Sequence, residues 1–210
     1  ARNSACSSSQ TQALVKKLFA DYNSVGFTTI ADRGASKGNI DVYQKLRDSQ
    51  ALTVRLRLSH TFSTGSVWRT TELALDEILK HPLTKPDPIL QIVGTKIWLD
   101  GGMLTGSAYM KRPWGVSAAY GIDDPEYPGM VYVEPDKLYT MAKHALSKEL
   151  QFTAHSVGDG AVERLVHTYA RIGENDCPVN EQRPCVIEHR LAERIQHATQ
   201  RGPGDHGRLK

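Results

Sequence analysis

Apolar residues recur along this chain at two spacings, and the two spacings alternate. Intervals of three and four begin near Thr11 and predict helices, whereas strict alternation of leucine with polar residues predicts a half-buried strand. The predicted strands lie at 27–31, 52–59, 93–99, 151–155 and 184–188. Because helices or long loops separate them, the order of elements predicts an α/β fold with a parallel sheet.

Each predicted strand ends at or beside a polar residue that could carry chemistry, namely Asp32, His60, Asp100, His155 and His189. The carboxyl ends of parallel strands share one edge of a sheet, and that edge is where α/β folds bind ligands. A doubly wound sheet would concentrate such residues at one switch point. Here every strand has one, so the pattern favours a partial (β/α)8 TIM-like barrel.

Two stretches share a pattern in which a short apolar run delivers a histidine to a turn. His155 closes the strand 151–155 and is followed by turn residues and by Asp159, which can cap the next helix. Cys185-Val-Ile-Glu188-His189 repeats the pattern 34 positions later, about the length of one βαβ unit. Two imidazoles on neighbouring strands predict a metal site. The alternative is a non-catalytic α/β domain in which both histidines are structural.

The connection 101–133 is rich in glycine and tyrosine and has no helical period. A loop of this length in a compact domain is usually functional or disordered. Its aromatic residues, among them Trp114, predict an ordered wall that covers the strand ends and contacts a substrate. The expected organisation is therefore a loop or disordered end at 1–10, a partial barrel domain at 11–189 and an atypical basic tail at 190–210.

Composition narrows the function without identifying it. Lys and Arg number 26 and Asp and Glu 23, a net charge of +3 that is too balanced to indicate a nucleic-acid partner. The three cysteines form no Cys-x-x-Cys pair, and we expect no disulfide. No apolar run approaches the roughly 20 residues of a membrane span. The default expectations are a cytoplasmic location and no membrane partner.

Four motifs resemble amidohydrolase family 3, the YtcJ-like branch of the metal-dependent amidohydrolases that includes N-substituted formamide deformylases. They occur in the family's order across residues 25–189. The matching stretches are Val25-Gly-Phe-Thr-Thr-Ile-Ala-Asp32, Lys96-Ile-Trp-Leu-Asp100-Gly101, Ala154-His-Ser-Val-Gly-Asp-Gly-Ala161 and Ile187-Glu-His189.

The resemblance implies a barrel that holds one or two divalent metals, usually zinc, and hydrolyses a carbon–nitrogen bond of a small amide, formamide or cyclic amide with metal-activated water. His155 and His189 would be ligands, and Lys96 would join them if it were carboxylated; alternatively, Lys96 pairs with Asp100 on the rim. Side chains that would orient ligands or contact the substrate are Asp100, Asp159, Glu188 and Trp114. Alternation along the strand leaves Glu188 a second interpretation, an ion pair facing the helices.

Two features of the family are missing from the chain, a His-x-His pair on the first strand and an aspartate on the eighth. The chain resembles roughly strands two to six of a fold that takes about 250 residues. We therefore expect this fragment to be inactive even if its parent is a hydrolase. Residues 190–210 contain five Lys/Arg and no predicted strand. They are a basic tail for an acidic partner or the product of a shifted reading frame.

Overall fold

The structure, a computed structural model, describes residues 7–64 and 68–176. Within these residues, strands alternate with helices. The elements are α1 Ser8–Ser24, β1 Thr29–Ala35, α2 Lys37–Asp48, β2 Arg55–Thr61, α3 Trp68–Leu79, β3 Leu90–Trp98, α4 Pro135–Leu146, β4 Gln151–His155 and α5 Asp159–Asp176, with short 3-10 helices at Pro82–Thr84 and Met103–Thr105.

The four strands described form one sheet in the order β1-β2-β3-β4, and every neighbouring pair is parallel. A doubly wound sheet would reverse its strand order at a switch point, whereas this order follows the chain. The predicted α/β class and parallel sheet are confirmed, and the sheet is a part of a (β/α)8-type barrel. The predicted strand 184–188 and the tail 190–210 lie outside the described residues.

Two apolar clusters bind the helices to one face of the sheet. The first joins α1 and α2 to β2 and the start of β3 through residues such as Phe19, Leu46 and Leu58. The second joins α4 and α5 to the end of β3 and to β4. Fully burying one such aliphatic side chain contributes about 2 kcal/mol, so these clusters hold the helices in place. No described helix is long and apolar enough to cross a bilayer.

A one-residue bulge interrupts β3 midway. Leu58 of β2 pairs with Ile92, but the next residue, Ser59, pairs with Gly94, so β3 contains one residue more than its neighbour. After such a bulge, every later side chain of the strand lies on the face opposite to the one that unbroken alternation would give it. A Cβ at Gly94 would lie 2.5 Å from the carbonyl oxygen of Gln151 on β4, so the close approach of the strands requires glycine here.

The bulge decides which residues of β3 face the helices. Ile92 before it and Ile97 after it both belong to the helix-covered clusters, although five positions separate them. Lys96 and Trp98 therefore lie on the opposite face. We call that face, which in a closed barrel lines the interior, the inner face.

The sequence prediction placed the first strand at 27–31 and a loop from Arg33 onward. In the structure β1 extends to Ala35, which is buried and pairs with His60 of β2. Ser36 then caps α2 by a reciprocal pair of hydrogen bonds with Asn39. The strand is longer than predicted because Ala35 pairs with β2 again after a register shift that follows Asp32, and because Ser36 caps α2 directly after it.

Candidate functional site

The carboxyl-terminal half of the inner face is built from two rows of side chains. Lys96 pairs with Thr61 on β2 and with Thr153 on β4, and Trp98 pairs with His155. Paired residues of parallel strands lie on the same face, about 4.8 Å apart along the row. Two of the predicted ligands, Lys96 and His155, therefore lie on adjacent strands and on one face, at the edge where barrels keep their active sites.

Lys96 is half-buried on this face. Burial lowers the pKa of its ammonium group, and the positive charge of Arg33 lowers the pKa further. A lowered pKa increases the fraction of neutral amine, the form that reacts with carbon dioxide to give a carbamate. The alternative partner, Asp100, directs its oxygens at backbone N–H groups instead.

Asp100 is buried, with 1% of its surface exposed, and accepts three backbone hydrogen bonds. Its Oδ1 accepts from the N–H of Val157 at 2.9 Å, and its Oδ2 accepts from Tyr109 at 3.0 Å and from Gly158 at 2.8 Å. The carboxylate thus joins the loop after β3 to the turn after β4. Asp100 acts on the site through the turn that follows His155.

The Gly158-Asp159-Gly160 sequence lets another segment approach this turn. A Cβ at Gly158 would overlap the carbonyl oxygen of Tyr109. That oxygen accepts from the N–H groups of Gly160 and Ala161 at 3.2 and 3.3 Å, at the start of α5. Asp159 accepts from the N–H of Lys111 at 2.8 Å. The predicted turn is therefore clamped to the long loop on both sides.

The long loop lies at the carboxyl-terminal side of the sheet and is held by its own hydrogen bonds. Trp114 donates from Nε1 to the carbonyl oxygen of Ala108 at 2.8 Å and packs edge-on against Tyr120 at 5.5 Å between ring centroids. Trp114 therefore braces the loop internally, and its contact with a substrate stays a prediction.

A different pair of aromatic rings borders the inner face. Trp98 and Tyr132 are 46% and 44% exposed. With Phe62 and the hydroxyl residues Thr61, Ser63 and Thr64 they line a shallow cleft of about 550 Å³. Sequence reasoning missed this cleft. The alternation Lys96-Ile-Trp98 signals that both ends share a face, but only the bulge shows which face it is.

Two polar residues near the ends of strands lie elsewhere than predicted. Asp32 faces the helices, where its Oδ2 accepts from the hydroxyl of Tyr43 on α2 at 3.0 Å. His60 lies on the same side, beside a cavity between α2 and α3 that His81 also lines. Its Nδ1 is 2.7 Å from the carbonyl oxygen of Thr61, and burial lowers its pKa. Both residues occupy positions that register assigns to the helix-covered face.

The described residues bring together two of the three predicted metal ligands. Within 7–64 and 68–176, no group of three or more His, Cys, Asp and Glu is arranged to hold a metal ion. His155 offers an imidazole nitrogen, and a carboxylated Lys96 would offer carbamate oxygens on the same face, which fits a partial ligand set. The predicted ligand His189 and its neighbour Glu188 lie outside the described residues.

The chain is similar to a protein of known sequence and to two solved structures. "Protein LONG AFTER FAR-RED 3" from Arabidopsis thaliana is 25% identical over 194 residues, which are 88% of this chain and 29% of that protein. Crystal structures of uncharacterized metal-dependent hydrolases from Pyrococcus horikoshii OT3 and Pyrococcus furiosus superpose with a TM-score of 0.62 each, at 18% and 15% identity. Each superposition covers 80% of this chain and about a third of the other chain, 32% and 33%.

These structural likenesses show the shared fold, and the chain spans about a third or less of the length of the proteins it matches. The family match is broader. The model of the amidohydrolase family matches residues 4–199, nearly the whole chain and ten residues beyond His189. On this match, the chain belongs to the amidohydrolase family.

Proposed function

We propose that the protein containing this chain is a metal-dependent hydrolase of carbon–nitrogen bonds in non-peptide amides, formamides or cyclic amides, as in the YtcJ-like branch. One observation carries the proposal: Lys96 and His155 share the inner face at the carboxyl ends of adjacent parallel strands. Family membership gives the reaction class its support.

His155, His189 and a carboxylated Lys96 would hold a divalent metal, zinc in our proposal. When bound, such an ion supplies a Lewis acid and lowers the pKa of a bound water to about 7. The chain's own residues prepare the site. Asp100 fixes the turn after His155 through the N–H groups of Val157 and Gly158, and so limits the orientations of the imidazole.

We also propose that the 210-residue chain turns over little or no substrate by itself. The described sheet presents two donors, whereas zinc sites of this kind take three or four. His189 and segments outside the four described strands would complete the set. Among the described residues, the outer edges of β1 and β4 have no strand partner, and further strands would cover them.

A competing function, a non-catalytic domain with structural histidines, has one observation in its favour. The other described histidines with short polar contacts serve the fold: His60 bonds Thr61, His81 accepts from the N–H of Leu83, and His144 is 2.8 Å from Asp76. Under this alternative His155 would likewise serve the fold, and the domain would hydrolyse no amide.

The test is amide hydrolysis by the full-length protein with and without a chelator. We expect hydrolysis of simple amides to stop on chelation and to return with zinc. His155→Ala should lower kcat/KM at least 100-fold, and a matched control, His167→Ala on the exposed side of α5, should retain activity. Activity that survives both chelation and His155→Ala contradicts the proposal, whereas a zinc-loaded protein that hydrolyses no amide favours the competing function.

A further inference from the structure

We propose that Trp98 and Tyr132 form an aromatic wall that selects substrates carrying an uncharged aromatic or other flat apolar group. The reaction at the neighbouring amide rests on the proposed function, whereas recognition of the ring does not. The key juxtaposition is the pairing of Trp98 with His155, which sets the indole directly beside a proposed ligand on the inner face.

The exposure of Trp98 distinguishes it from the core residues around it. Its neighbours Ile97 and Leu99 are completely buried under the helices, whereas the indole is 46% exposed on the other face. A large apolar ring left partly in water beside a polar site is a candidate contact for a ligand, since its burial upon binding is favourable.

Tyr132 is fixed beside the indole by the backbone. Its N–H donates to the carbonyl oxygen of Leu99 at 2.9 Å, and the preceding residue, Val131, forms a bridge with Asp100. The ring is thus anchored to the end of β3, the strand that carries Trp98. A wall ordered in advance loses little conformational entropy when a ligand binds.

The lining of the cleft indicates the chemical class of the ligand. Its described side chains are three aromatic rings, Phe62, Trp98 and Tyr132, and three hydroxyl groups, and none of these six is charged. A volume of about 550 Å³ falls in the range of small-molecule sites, about 300–1,000 Å³. Strand pairing relates the cleft to both proposed ligands, because its Thr61 pairs with Lys96 and its Trp98 pairs with His155.

The experiment compares acetanilide with N-methylacetamide as substrates of the full-length protein. The ratio is kcat/KM for acetanilide divided by kcat/KM for N-methylacetamide. Trp98→Ala should lower this ratio by about 5-fold, since an aromatic contact is worth about 1 kcal/mol. Trp98→Phe should restore most of the ratio. Phe27→Ala, which removes an exposed ring at the amino-terminal end of β1, is the matched control and should leave the ratio unchanged.

Equilibrium binding separates this inference from the proposed function. Isothermal titration of the metal-free protein should give a Kd for acetanilide that rises about 5-fold in Trp98→Ala. Ring-carboxylated acetanilide should bind more weakly than acetanilide, because none of the described lining side chains carries a compensating charge. Ring binding that depends on Trp98, together with no amide hydrolysis by the zinc-loaded protein, supports the wall and contradicts the proposed function. Unchanged Kd and kcat/KM ratio in Trp98→Ala, or tighter binding of the carboxylated anilide, overturn the wall.

Discussion

His60 and His155 lie at or next to the carboxyl ends of parallel strands, yet they serve opposite sides of the sheet. His60 on β2 faces the helices, bonds to the carbonyl oxygen of Thr61 and lines the cavity between α2 and α3. His155 on β4 faces the inner side, beside Trp98. Closeness to a strand end is therefore insufficient to place a residue in a barrel's site, because the face of the strand also decides.

The same contrast separates the two aspartates. Asp32 satisfies a helix–sheet contact through Tyr43, and Asp100 organises the inner edge through three N–H groups. We expect substitutions at the carboxyl-terminal end of the inner face to change both stability and metal binding. Substitutions on the helix-covered face should change stability alone.

The largest difference is expected between Asp100→Ala and Asp32→Ala. Removing the Asp100 carboxylate leaves three N–H groups without their acceptor, at least one of them buried, and should lower the free energy of unfolding by about 4 kcal/mol. Asp32 is partly exposed and has two donors, so its loss should cost about 1 kcal/mol. Urea titrations of the two variants provide the comparison, and equal losses would contradict the role assigned to Asp100.

A smaller effect is expected on the pH dependence of stability, through the histidines that line the cavity between α2 and α3. Burial lowers the pKa of His60 and of His81 below the ordinary value near 6.5, and Lys37 lowers both further. Between the folded and unfolded pKa values the unfolded chain binds more protons. The free energy of unfolding should therefore fall as the pH drops from 7.5 to 5.5.

Replacing His60 by Gln should flatten this pH dependence, measured by urea titration at both pH values. Asp41 and Glu77 are the acidic residues that line the cavity with the two histidines. His167→Gln, on the exposed side of α5, should keep the slope of the wild type. A slope that His60→Gln leaves intact would show that the buried outer histidine does not control acid stability.

The sequence predicted the strands because alternation such as Leu56-Arg57-Leu58 reports one buried face. It could not predict the bulge at Gly94, since an extra residue in β3 becomes visible only against the register of β2. Every later assignment to a face depends on that bulge, including those of Lys96 and Trp98. The Gly158-Asp159-Gly160 turn was predicted as a turn, but the need for glycine comes from the Tyr109 backbone, 49 residues earlier in the chain.

The most direct test of this account is the metal content of three purified full-length proteins, namely the wild type, His155→Ala and His60→Ala. Each would be loaded with zinc, freed of excess ion and analysed by plasma emission spectrometry, with folding checked by circular dichroism. We expect His60→Ala to retain the zinc of the wild type and His155→Ala to lose most of it. Equal zinc in both variants, or loss confined to His60→Ala, would contradict the assignment of the inner face as the metal site.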